Sequence, residues 1–270
     1  MDLCGYGKFT GLCWIMSPEP QIADQQLPVP ILGNLLLSPE FISLATSAQQ
    51  IEFIKSKFET NSTNIIKISS VIIGQRDNPS WHQLRKGRLT ASNFGCILNA
   101  KRVTPSLLKR LLGEYDLSRV KAVAWGVTNE AEAIKEFTRQ TKLQVVETGL
   151  LLDESGTLGA SPDGLVGDCY VLEAKFPYTQ RNEGLEASLK HNDFCLERTD
   201  NGITLKNTHA YWHQVQLYLT KREICFVVVW TTTWTNITEI HKNPSWEVNL
   251  GRLKEFYFTS IFPKIVDGDL

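Results

Sequence analysis

The chain has 270 residues, 42% hydrophobic and 21% charged, with a formal net charge of −1, the balance of an ordinary soluble globular protein with room for one sizeable core. Its longest apolar runs, near Ile31 to Leu37 and Ile224 to Trp230, fall far short of the roughly 20 residues of a spanning helix, which excludes a helical membrane protein. The six cysteines (Cys4, Cys13, Cys96, Cys169, Cys195 and Cys225) form no Cys-x-x-Cys pair, which argues against zinc ribbons and redox motifs and for reduced thiols. The start MDLCGYGK has no basic region followed by an apolar stretch, so no secretory signal is read and the protein is expected inside the cell, nucleus and cytoplasm not being distinguished.

Residues 1 to 35 are rich in Pro, Gly and Gln and read as an irregular arm. From Pro39 to Phe58 the apolar spacing predicts one helix. Residues 61 to 80 then run through turn signals (Arg76, Asp77, Asn78, Pro79) into Trp81, where the main domain is expected to start. The division is thus 1–80, an N-terminal arm and helix packing on the core, and 81–270, the main domain. Helices follow near 91–99, at 105–115 and at 126–141, then strands at 144–153, 157–166 and 169–176. A polar segment, 178–207, precedes a helix at 208–221, strands at 223–232 and 236–241, and a closing helix from about Ser245 to Val266. The runs VVETGLLL, CYVLEAKF and ICFVVVWTTT are rich in branched and aromatic residues, as strands are. The order αβββαβ implies an α/β (α+β) fold, a central mixed sheet flanked by helices.

Residues 159 to 175, GASPDGLVGDCYVLEAK, set Asp163 ahead of a Glu173, Ala174, Lys175 triplet. If Asp163 ends one strand and Glu173 lies on the next, a turn at Gly167 and Asp168 brings the carboxylates together. Lys175 shares the Glu173 face because strand side chains repeat every two residues. Two carboxylates and an ammonium suit a hard divalent cation and phosphodiester hydrolysis; a hairpin with solvated charges is the plain alternative. Glu130 shares a helix stripe with Ile134 and Phe137 and points inward, whereas Glu132 and Glu136 face water. It is either a further ligand or a buried Glu satisfied by an Arg or backbone group. On helix 208–221, Tyr211, Gln214 and Tyr218 share a face, so Gln214 either orients a ligand or belongs to an amphipathic aromatic face. Between Arg85 and Lys121 stand nine basic residues against two acids, Glu114 and Asp116. That excess fits a phosphate backbone as well as a solvated helix face. His82, His191, His209, His213 and His241 show no ligand-like order.

Gly126 with Glu130, Ser-Pro-Asp-Gly at 161–164, Glu-Ala-Lys at 173–175, Gln-Val-Gln at 214–216 and WHQLRKGRLTASNFG at 81–95 together resemble the YqaJ viral recombinase family, the family of lambda exonuclease, within the PD-(D/E)XK nuclease superfamily. The resemblance implies a restriction-endonuclease-like core and makes 81–270 a nuclease domain. It implies a metal site of Asp163, Glu173 and the carbonyl of Ala174, with Glu130 as the outer acid. Lys175 would be the catalytic lysine and Gln214 a supporting residue. Arg85 and Ser92 would bind a 5′-phosphate; Arg88 departs from the family's apolar residue and is either another phosphate contact or a surface residue. The implied cofactor is magnesium or manganese, one or two ions. The implied substrate is the 5′-phosphorylated strand of linear double-stranded DNA, degraded 5′ to 3′ into mononucleotides. A homo-oligomer and a single-strand annealing partner belong to the same expectation, without a signal of their own in the chain. The rivals are an endonuclease or RNase of the same superfamily and a non-catalytic DNA-binding module of recombination.

Overall fold

The computed structural model, which describes residues 27–100, 102–113, 117, 119–200, 202–206 and 214–267, divides the chain into two compact units. One unit takes the described residues of 1–115, 149–161 and 247–270; the other takes those of 116–148 and 162–246.

In the first unit the expected helix 39–58 is broken in two, Pro39–Ile42 and Ser47–Phe58. Thr46 and Gln49 form a capping box, and reciprocal capping of the first-turn N–H groups favours a fresh helix start there over a continuous rod. A helix at Ser62–Val71, capped by Asn61, occupies a stretch read as turns. Its Ile65 and Ile68, with Ile72 just beyond, meet Leu84, Leu150 and Leu152 in one buried cluster, and burying such side chains contributes about 1.5–3 kcal/mol each. Three short strands form this unit's sheet: β1 (Leu89–Thr90), β2 (Leu151–Leu152) and β3 (Leu158–Ala160). β3 is central, parallel to β1 and antiparallel to β2. The closing helix runs as Val248–Phe256, a π-helical turn Tyr257–Ile261, and Phe262–Asp267.

The second unit holds a mixed sheet ordered β4 (Gly164–Val166), β5 (Tyr170–Lys175), β8 (Ile224–Trp230) and β9 (Thr235–His241). β5 and β8 are parallel; the outer pairs are antiparallel. Side-chain alternation gives the sheet two faces. Leu172, Ala174, Phe226 and Val228 pack with Ala133 and Phe137 of the long helix Lys121–Thr141. Val171, Cys225, Val227 and Val229 pack with Leu217 of the helix Gln214–Thr220. The expected strand 144–153 reduces to a single bridge, Val146 to Leu165, besides β2. The expected strand 157–166 is interrupted at 161–163, since β3 and β4 belong to different units. The polar segment 178–207 contains a short helix, Leu185–Ser188, and an antiparallel hairpin, β6 (Leu196–Thr199) with β7 (Gly202–Leu205). Leu196 and Leu205 are its buried anchors. The start of the expected helix 208–221, with His209, Tyr211 and His213, lies outside the described residues, as do Lys101, Glu114 and Asp116. No described helix is long and apolar enough to cross a membrane.

Candidate active site

A tight hairpin places the first two acids. β4 and β5 are joined through Gly167, whose φ of +51° is a left-handed value that glycine adopts at little steric cost. The register sets Gly164 opposite Leu172, so Asp163 and Glu173 are the next facing pair. The Asp163 carboxylate takes the place of a ladder acceptor: its Oδ2 accepts the Ala174 N–H at 2.7 Å. Because N–H and C=O of one strand residue point to the same edge, the Ala174 carbonyl also lies on the Asp163 side.

Glu173 is 8% exposed and both of its oxygens are held. Lys175 Nζ donates to Oε1, as the period of two requires, and Gln216 Nε2 donates to Oε2 at 2.5 Å. The Oε1 of Gln216 is buried with no hydrogen-bond partner among the described residues. Glu130, half-buried on the long helix, is near enough for its charge to act on Asp163. Glu132 and Glu136 pair instead with Lys135 and Arg139 on the helix's outer face, at 2.7 and 2.6 Å. The Asp163 carboxyl is held well above its usual range, first by burial and then by the charges of Glu173 and Glu130; Lys175 and the Ala174 N–H act in the opposite sense.

The structure corrects the reading of Gln214. Its Nε2 donates to the carbonyl of His241 at 2.9 Å and its Oε1 accepts the Asn243 N–H at 2.9 Å, while Tyr218 Oη donates to the Asn243 carbonyl at 2.5 Å. The Gln214 and Tyr218 face of this helix therefore fastens the end of β9, and the next glutamine but one, Gln216, reaches the acids. The alternation of β5 could have signalled this, since Glu173 shares its face with Val171, which packs against that helix.

Arg88 is corrected as well. It is 1% exposed, and its guanidinium donates to the carbonyls of Gly156 (2.7 Å), Leu84 (2.8 Å) and Pro30 (2.8 Å) while lying 4.2 Å from the Phe58 ring centroid. Burial lowers its pKa to about 10. It is an internal strut, neither a surface residue nor a phosphate contact. Arg85 differs: half-buried, it stacks 3.9 Å from the Trp81 ring centroid and reaches Ser161 Oγ at 3.5 Å, to which Trp81 Nε1 also donates at 2.9 Å. It has no ion-pair partner among the described residues, and burial lowers its pKa to about 10. Ser92 is exposed in the first turn of the helix Ala91–Leu98, 3.3 Å from the Thr90 hydroxyl. Arg85 and Ser92 thus belong to the first unit, and Asp163, Glu173, Lys175, Glu130 and Gln216 to the second.

Among the described residues no group of three or more His, Cys, Asp or Glu side chains is arranged to hold a metal ion. A cation here would rest on Asp163, Glu173 and the Ala174 carbonyl, with Glu130 behind. Those donors are all oxygens and two are anionic, the set that a hard divalent ion takes, and the Glu173 and Glu130 charges that, after burial, raise the Asp163 pKa are ones such an ion would offset.

A mixed sheet carrying a carboxylate pair and a lysine at one end of its antiparallel hairpin is a restriction-endonuclease-like core. Residues 80–223, more than half of the chain, match the model of the YqaJ-like viral recombinase domain, and the chain belongs to that family. Among solved structures, its fold is similar to that of an alkaline exonuclease (LHK-Exo) from Laribacter hongkongensis, with a TM-score of 0.53 and 23% identity over 69% of this chain and 93% of that one. LHK-Exo in complex with dAMP gives 0.50 and 23%, covering 69% and 91%. A SOX–DNA complex gives 0.50 at 11% identity, covering 87% and 80%. No curated protein matches the sequence.

Proposed function

We propose that this chain is a divalent-metal-dependent exonuclease that hydrolyses the 5′-phosphorylated strand of linear double-stranded DNA from 5′ to 3′, releasing mononucleotides in recombination or DNA processing. The observation that carries the reading is the meeting of Asp163, Glu173 and Lys175 across one hairpin in a chain of this family. The fold it shares with an alkaline exonuclease supports it.

A magnesium or manganese ion, or a pair of them, held by Asp163, Glu173 and the Ala174 carbonyl with Glu130 as the outer acid would supply Lewis-acid neutralisation of the phosphate. The chain's own groups do the rest. Gln216 fixes the Glu173 carboxylate from one side, and the Lys175 ammonium holds it from the other. Lys175 can then orient a water for in-line attack and offset the charge that grows on the phosphate oxygens. Arg85, a desolvated cation with no acidic partner among the described residues, suits a terminal phosphate, and Ser92 adds a hydroxyl.

The test is digestion of end-labelled duplexes with 5′-phosphate or 5′-hydroxyl ends, with and without magnesium. The expected result is magnesium-dependent release of mononucleotides from phosphorylated ends, abolished in D163A and K175A while DNA binding persists. Cutting of circular DNA, cutting of RNA, or a fully active D163A would overturn it.

A further inference from the structure

The stretch between Arg85 and Ser92 is held by more than its own sequence. Lys86 leaves the helix Pro79–Arg85 with φ −60° and ψ 126°, Gly87 follows at φ +73°, and the Arg88 N–H returns to the Arg85 carbonyl at 3.1 Å. These are the marks of a type II turn, which needs a left-handed third residue. Gly87 is also boxed in, since a Cβ there would lie 2.2 Å from Leu32 Cδ2. The turn's buried outward carbonyl, that of Gly87, accepts one side-chain bond: Tyr257 Oη donates to it at 2.7 Å.

Tyr257 is fully buried and opens the π-helical turn Tyr257–Ile261. Such turns are rare and, where they occur, are frequent at functional sites. Here the Tyr257 side chain reaches 170 residues back along the chain. Fixing the Gly87 carbonyl fixes the plane of the peptide leading into Arg88, hence the path into β1 and on to Ser92. Resting on the proposed 5′-phosphate reading, the geometry points to Tyr257 as a positioning residue for the terminal-phosphate site. It touches no substrate; it sets the turn that joins Arg85 to Ser92.

Tyr257→Phe keeps the ring that packs on Phe258 and Phe262 and removes only the donor. Affinities of the full chain for one blunt duplex with 5′-phosphate or 5′-hydroxyl ends, measured by anisotropy in EDTA so that nothing is cut, give the preference ratio. We expect Y257F to reduce that ratio about fivefold, the scale of one neutral hydrogen bond, at unchanged affinity for the hydroxyl end. The Arg88 amide should also exchange faster with solvent. An unchanged ratio overturns the positioning role, even with a lowered melting temperature, since a purely packing residue would behave so. A wild-type protein without any preference overturns the phosphate reading itself, and that failure is visible before any variant is made.

Discussion

Replacing Arg88 with methionine removes three charge-assisted hydrogen bonds and leaves the carbonyls of Pro30, Leu84 and Gly156 without that donor. Each such bond contributes about 1.5–3 kcal/mol, so the gross loss is roughly 5–9 kcal/mol. Methionine recovers apolar packing over Phe58 and avoids the desolvation of a buried cation, which brings the expected net loss to about 3–5 kcal/mol. Against a typical total of roughly 5–15 kcal/mol, that is a large fraction of the stability, and at about 2–4 °C per kcal/mol for a chain of this size the melting temperature should fall by roughly 6–20 °C. Thermal melts and urea midpoints on wild type, R88M and R85M measure it. R85M is the internal control, because among the described residues the Arg85 guanidinium meets a ring and a serine and no ion-pair partner, so it should cost less. A loss below about 1 kcal/mol in R88M, or a loss of 5′-phosphate preference without a loss of stability, would falsify the strut assignment.

Three further outcomes follow from the same geometry. Gln216→Ala should lower kcat about 10- to 100-fold by freeing the Glu173 carboxylate, the scale of one charge-assisted hydrogen bond, whereas Gln214→Ala should lower the melting temperature with kcat nearly unchanged; the reverse pattern would restore Gln214 to the site. Asp163 has a folded pKa above its unfolded one, so it carries no penalty below the unfolded value, and metal-free stability is lost as pH rises through the folded value. Asp163→Asn should therefore melt like wild type in acid and above it at neutral pH, and wild type alone should gain about 2.7 kcal/mol from magnesium at a hundredfold excess over its dissociation constant; equal gains in both proteins would remove Asp163 from the metal site. Arg85→Ala should bring cleavage of phosphorylated ends down to that of hydroxyl ends, and an equal loss on both would sink its role.

The meeting of Asp163, Glu173 and Lys175 was legible because it is local. Asp163, Glu173 and Lys175 lie on one hairpin, where the period of two and a glycine at the turn decide which side chains meet. The errors arose where the deciding partner is remote. A charge at Arg88 reads as a surface residue until carbonyls 58 and 68 residues away are seen to surround it. Gln214 and Tyr218 look like an active-site stripe, but that face is taken by the turn after β9, at Asn243. The helix Ser62–Val71 was missed for a different reason. Its isoleucines repeat at helical spacing behind an Asn cap, but the stretch is short and runs directly into the turn residues Arg76 to Pro79. In the hairpin β6–β7 most side chains are polar, and only its two end residues, Leu196 and Leu205, are buried, too few to stand out as strand alternation.

The Arg88 strut also bears on where this protein can be cut. Residues 80–223 carry the family match, but the groups that close around the Arg88 turn come from far outside them: the Pro30 carbonyl and Leu32 upstream, and Tyr257 downstream. A fragment trimmed to the matched boundaries would keep the cation and lose its upstream lining, uncovering a guanidinium that is 1% exposed in the whole protein. The limits of the family match therefore leave out contacts that line the Arg88 turn, so deletion libraries and split-protein fusions that keep this turn intact should retain Pro30, Leu32 and Tyr257.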